Sequence, residues 1–217
     1  MPTCILAGAT GLTGQFLWPI LAEKYEQVHL LLRRPIEGTP ENVQQHIIDF
    51  DQLDNWQPEG SIDHVYSTLG TTQATAGSKP AFYKVDHDYI VGMGQLARRS
   101  GASCYTFISS IGADANSWTS FYLKVKGETE VDIKSLDLPR TLAIRPSLLV
   151  GPRKEYRPAE VWGERFFKLL EPLMIGGLKR YKAVHVKTVA QAMIGLTTEQ
   201  DEPGFHIVQS EDLHPWG

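Results

Sequence analysis

Four apolar residues, Cys4-Ile5-Leu6-Ala7, run straight into Gly8-Ala9-Thr10-Gly11-Leu12-Thr13-Gly14. Leu12, Phe16 and Ile20 then recur every four residues, on one face of a helix that opens inside the turn. A short buried strand, glycine at every third position and an immediate helix admit few folds. Each glycine has a task in that setting. Gly8 permits a tight turn, Gly11 lets the backbone approach a pyrophosphate, and Gly14 lets the helix pack close on the strand. The phosphates would meet the unpaired N–H groups and positive dipole end of the helix. Gly8, Thr10, Gly11, Leu12, Thr13 and Gly14 are therefore candidate dinucleotide contacts. An ordinary strand-to-helix turn is the competing explanation, and the strand, the helix and the N-terminal position together weigh against it.

The rest of the chain repeats this rhythm. Val28–Leu32 is a continuous apolar run, as in strands covered on both faces. Further strands are expected at Gln45–Ile48, His64–Leu69, Cys104–Ile108, Leu142–Ile144 and Phe205–Val208. Helices are expected between them. One starts at Ser78 with Pro80 just inside, continues through Phe82, Val85, Tyr89, Met93 and Leu96, and stops at Gly101. Others span about Ser117–Ser135 and Lys187–Thr197, and Pro19 predicts a bend in the first helix. Alternation of this kind predicts an α/β protein, a single doubly wound Rossmann-type domain over residues 1–217. Its parallel sheet would have the order 3-2-1-4-5-6 plus an edge strand, with an irregular substrate-side segment over about 151–181.

About twenty residues beyond the glycine turn, such folds place the group that reads the adenosine ribose. An acid there would favour NAD, but here the second strand runs into Arg33 and Arg34. Two guanidinium groups suit a 2′-phosphate, so the cofactor expected is NADP (NADPH) rather than NAD. Two solvated arginines at a strand end remain the bland alternative. Asp49, after the third strand, is placed to accept from the adenine amino group, and Leu69, Gly70 and Thr71 lie where the chain crosses the cofactor.

The fifth strand ends at Ser109-Ser110, and the following helix carries Tyr122 and Lys126, four apart and on one face. A phenol is a poor acid–base catalyst at neutral pH, and a neighbouring ammonium favours its ionised form. The serine hydroxyl would hold a carbonyl oxygen beside it. A Tyr and a Lys four apart also arise by chance, so the weight of the pair comes from lying just past a strand end, where doubly wound sheets bind ligands. Packing for Tyr122 and solvation for Lys126 are the bland reading.

These motifs resemble the short-chain dehydrogenase/reductase superfamily over nearly the whole chain. They are Gly8-x-x-Gly11-x-x-Gly14, Ser110, Tyr122-x-x-x-Lys126, and Arg145-Pro146-Ser147 leading to Gly151-Pro152. More narrowly, Leu69-Gly70-Thr71-Thr72, Ser110-x-Gly112-Ala113-Asp114, Lys126-Gly127-Glu128 and Arg145-Pro146-Ser147-Leu148-Leu149 are similar to the atypical branch of Tat-interacting-protein oxidoreductases and their small bacterial relatives. The resemblance implies NADPH binding, Tyr122 as proton donor, Lys126 on the nicotinamide ribose, Ser110 orienting the substrate, and backbone near Pro146 bordering the nicotinamide. It also marks a departure: Asp86 stands on the helix where many superfamily members carry an active-site asparagine.

Composition narrows the remaining classes. A net charge of −4 argues against bulk attraction to nucleic acid or anionic lipid, and no apolar run spans a bilayer. The two cysteines, Cys4 and Cys104, sit in apolar strands, which predicts packing residues rather than a disulfide and a cytoplasmic setting. The seven histidines show no metal-ligand spacing, and His185, between two valines, reads as a core residue. Arg153, Lys154, Arg157 and Arg165, with Trp162, Phe166 and Phe167, read either as a basic rim and apolar wall of a pocket or as a solvated loop and packed lid. The function expected is an NADPH-dependent oxidoreductase reducing a small carbonyl compound. The alternative is a non-catalytic NADP(H)-sensing protein that binds a protein partner.

Overall fold

The structure is a computed structural model that describes residues 2–152, 181–199 and 202–217. Period-two alternation explains its layers. In β1 (Thr3–Ala7), Cys4 and Leu6 face one side of the sheet and Ile5 and Ala7 the other, all four buried. The first side is covered by α1 (Gly14–Lys24) through Leu17 and Leu21, and by α6 (Val186–Glu199) through Val189 and Met193. The second is covered by α4 (Tyr89–Arg99) through Ile90, Met93 and Leu96, and by α5 (Phe121–Ser135) through Ile133. Burial of both faces is why Cys4–Ala7 of β1 reads as an unbroken apolar run.

The strands β2 (Gln27–Leu32), β3 (Val43–Ile47), β4 (His64–Ser67), β5 (Cys104–Ile108), β6 (Arg140–Arg145) and β9 (Gly204–Gln209) join β1 in one seven-stranded sheet. Its order is β3-β2-β1-β4-β5-β6-β9 and every pairing is parallel. The expected order and edge strand both hold. A reversal of winding on either side of β1 and β4 places the crevice for a ligand at their carboxyl ends.

Several expectations shift. The first helix begins at Gly14 rather than Leu12 and runs unbroken through Pro19. The helix carrying Tyr122 begins at Phe121 rather than about Ser117, because the side chain of Ser120 caps it by accepting from Leu123 N–H at 3.3 Å. The helix starting at Ser78 is three pieces, α3 (Lys79–Tyr83), a π-helical turn (Lys84–Asp88) and α4. Short elements absent from the sequence reading are α2 (Gln73–Ala76), the two-stranded sheet of β7 (Leu149–Val150) and β8 (Val184–His185), and α7 (Ser210–Leu213). His185 is exposed rather than buried, since its neighbours Val184 and Val186 take the inward positions and its Nδ1 accepts from Lys187 N–H at 3.1 Å. Cys4 and Cys104 are buried free thiols, as expected. Arg153, Lys154, Arg157, Trp162, Arg165, Phe166 and Phe167 lie outside the described residues.

Candidate active site

The glycine turn sits at the carboxyl end of β1, against the residues that follow β4. Gly8 has φ +90°, and a Cβ there would meet the Thr68 carbonyl carbon at 2.6 Å. A Cβ on Gly14 would meet Gly8 O at 2.1 Å, so helix and turn touch backbone to backbone. Gly11 is different: its added Cβ would find Gly8 O at 3.2 Å and otherwise only Thr68 O, at 3.8 Å. Gly8 and Gly14 are thus required by the chain's own packing, and Gly11 is the least crowded of the three. No side chain caps the start of α1; the N–H groups of Gln15, Phe16 and Leu17 donate to Gly11 O and Thr13 O, at 3.0 to 3.1 Å.

At the other end of the crevice, Leu32 pairs with Ile47, so Arg33 and Arg34 leave β2 close to Asp49 beyond β3. All three are exposed. Asp49 uses one oxygen on a neighbour, accepting from Asp51 N–H at 3.0 Å, which starts the 3-10 turn Phe50–Asn55.

Three segments converge where Leu69, Gly70 and Thr71 leave β4. Lys126 on α5 reaches under them, and its Nζ lies 2.8 Å from Asp86 Oδ1. Asp86 Oδ2 accepts the Thr71 N–H at 2.7 Å. A Cβ added at Gly70 would come 3.4 Å from Asp86 Oδ1 and 4.0 Å from Lys126 Nζ, so the crossing backbone lies directly on the pair. Both side chains are almost wholly buried. Tyr122, one helical turn before Lys126, packs its ring against Phe82 of α3 with centroids 5.9 Å apart. Phe121 packs on the same Phe82 ring and carries the ammonium of Lys79 over its face.

Behind the tyrosine and lysine, the same helix face carries Glu130. Its carboxylate accepts from Ser109 Oγ at 2.5 Å and from Arg145 Nε at 2.8 Å. That holds the residue before Ser110 and the residue before Pro146 on one anchor. Ile111 N–H donates to Pro146 O at 3.1 Å, tying the two strand ends together, while Ser110 Oγ donates to Ile111 O at 3.3 Å. The loop from β5 to α5 lies flat on the helix at Gly127, where a Cβ would meet Ala115 N at 2.1 Å, which accounts for glycine directly after Lys126.

The structure therefore gathers Gly70, Thr71, Lys126 and Asp86 into one cluster, with Tyr122 beside it and Ser110 and Pro146 joined across the strand ends. The sequence marked Asp86 only as a departure from the family's asparagine, without its contact to Lys126, and sequence reasoning missed Glu130 as part of the site. The spacing of Glu130, four beyond Lys126 as Lys126 is four beyond Tyr122, was an available signal.

No family model matches the chain. It is similar to the protein HTATIP2 of Rattus norvegicus, 36% identical over 195 residues, 87% of this chain and 78% of that one. It is also similar to the protein FMP52, mitochondrial, of Eremothecium gossypii, 32% identical over 96% of this chain and 94% of that one. The corresponding protein of Aspergillus fumigatus is 35% identical over 89% and 86%. Among solved structures, the UDP-N-acetylglucosamine 4-epimerase from Methanobrevibacter ruminantium M1 shares the fold with a TM-score of 0.70 at 18% identity, over 96% of this chain and 76% of that one. The Bordetella bronchiseptica enzyme WbmH, solved with NAD+, does so with a TM-score of 0.71 at 16% identity, over 97% and 76%.

Several of the fungal relatives are named mitochondrial, which overturns the cytoplasmic expectation. That expectation rested on two reduced thiols, and burial shields Cys4 and Cys104 whatever the compartment. With extensive identity to these curated proteins over most of its length and the sheet order the motifs predicted, the chain belongs to the HTATIP2 and FMP52 family, an atypical branch of the short-chain dehydrogenase/reductases.

Proposed function

We propose that this chain, as one domain, is an NADPH-dependent oxidoreductase that reduces a small carbonyl compound. The observation that carries the reading is the buried Lys126–Asp86 pair beneath the Gly70–Thr71 crossing, with Tyr122 one helical turn away at the carboxyl edge of the sheet. A bland packing role gives a sheltered ammonium no reason to lie at a ligand crevice.

The turn Gly8, Thr10, Gly11, Leu12, Thr13 and Gly14 would hold the pyrophosphate at the positive dipole end of α1. Arg33 and Arg34 would take the 2′-phosphate as a forked pair, with Asp49 on the adenine amino group. Leu69, Gly70 and Thr71 would pass beneath the cofactor, the backbone at Pro146 would border the nicotinamide, and Lys126 would hold its ribose. Bound NADPH supplies the hydride. Ser110 would orient the substrate carbonyl oxygen, and Tyr122, its ring fixed against Phe82, would donate the proton to that oxygen as charge develops there.

The test is NADPH consumption over a panel of aldehydes, ketones and quinones. Turnover of at least one class, lost in Lys126→Ala, is the expected result. If none turns over, while the protein binds a partner differently with and without NADPH, the sensing alternative replaces this reading.

A further inference from the structure

We infer that Asp86 is a positioning residue of the site: its carboxylate fastens the Lys126 ammonium to the Gly70–Thr71 crossing. The inference rests on the reading of Lys126 as a site lysine, and the closing measurements separate the two.

Local structure puts Asp86 there. The π-helical turn Lys84–Asp88 interrupts what the apolar spacing predicts as one helix, and such turns concentrate at functional sites. Asp86 points inward from it and is 1% exposed. The turn is held from both sides. Thr129 of α5 donates its hydroxyl to Asp86 O at 3.0 Å. On the outer side, His87 has Nδ1 2.8 Å from Asp88 and Nε2 2.9 Å from Asp132, and it stacks on Tyr83 at 4.4 Å. A side chain held this firmly is fixed before any ligand arrives.

Electrostatics gives the carboxylate its purpose. Burial pulls the Lys126 ammonium toward losing its proton, and Asp86, followed by Tyr122 and Glu130, more than reverses this, so the lysine stands above its ordinary 10.5. Among the described residues, three charged or titratable groups act on Lys126. Asp86 faces Lys126 from the π-turn, and Tyr122 and Glu130 flank it on its own helix. Glu130 is already committed to Arg145 and Ser109, and His87 turns outward to Asp88 and Asp132. Among the described residues, Asp86 makes the ion pair with the ammonium. Its second oxygen, on Thr71 N–H, ties the lysine to the backbone that would carry the cofactor.

Asp86→Asn removes the charge and keeps an acceptor for Thr71. In the cofactor-free protein, 15N-lysine NMR should show Lys126 releasing its proton at least ~1 pH unit lower than in the parent. The alkaline limb of turnover should move down with it, and KM for the carbonyl substrate should hardly change. Should Asp86→Asn fail to fold, Asp86→Asn with Lys126→Met should fold again, because the unpaired ammonium is then gone. A double variant that also fails to fold counts against the inference. An unchanged Lys126 titration in Asp86→Asn overturns it outright. A titration that moves while the activity limb stays fixed leaves Asp86 in its role and counts against the oxidoreductase reading of Lys126.

Discussion

Arg145 meets Glu130 edge to edge, with Nε 2.8 Å from Oε1 and the second contact, from the terminal guanidinium nitrogen to Oε2, at 2.5 Å. The pair joins the end of β6 to the middle of α5, and Ser109 adds a third bond to the same carboxylate. Its members are 17% and 6% exposed, so removing one leaves a charge with little access to water. Glu130→Ala should therefore cost about 3 kcal/mol of stability. Val131→Ala, next in sequence on the exposed face, should change it by less than ~0.5 kcal/mol. Urea midpoints for the two variants check this; equal midpoints would remove the anchoring role.

In the proposed reading, cofactor choice depends on Arg33 and Arg34, both exposed beyond β2. NADPH should bind at least ~10-fold tighter than NADH, or ~1.4 kcal/mol. Replacing both arginines with alanine should erase the difference and leave NADH affinity nearly unchanged. Calorimetry on parent and variant decides, and equal affinities in the parent would contradict the assignment.

His29 and His46 give the fold an acid sensitivity. Their ring nitrogens lie 2.9 Å apart between β2 and β3. Burial first, and His46 second, hold His29 below its ordinary 6.5, and burial holds His46 below it as well. The neutral forms belong to the native state, and the unfolded chain takes up more protons as pH falls. This contribution is complete above about 6.5 and is lost as pH drops from there through the lowered native values. Urea midpoints at pH 7.5 and pH 5.5 should fall further apart in the parent than in His29→Leu. An equal fall in both would show that the pair does not titrate with folding.

Much of this was legible in the chain itself. The unbroken apolar run Cys4-Ile5-Leu6-Ala7 and the mostly apolar run Val28–Leu32 announce a sheet covered on both faces, and the glycine turn points to where the crevice lies. Other parts were hidden for physical reasons. The π-turn leaves Phe82, Val85, Tyr89 and Met93 at spacings an ordinary helix also gives, so periodicity does not reveal it. The resemblance marks Asp86 as a departure, but its partner Lys126 lies on another helix, so the ion pair shows only in the fold. Glu130 resembles any solvated helix glutamate until Arg145 arrives from β6. His185 was misplaced because flanking valines suggest burial for all three residues, whereas alternation at β8 turns the middle one outward.

The central claim is that Tyr122 delivers a proton to a carbonyl oxygen as NADPH reduces it. Tyr122→Phe removes one hydroxyl and keeps the ring against Phe82, so stability and NADPH affinity should hardly change. General acid catalysis contributes about 10²–10⁴-fold. The steady-state rate of NADPH consumption, measured on a substrate the parent turns over, should therefore fall at least ~100-fold in the variant. Undiminished turnover in Tyr122→Phe, with the variant folded and NADPH bound, would contradict the account.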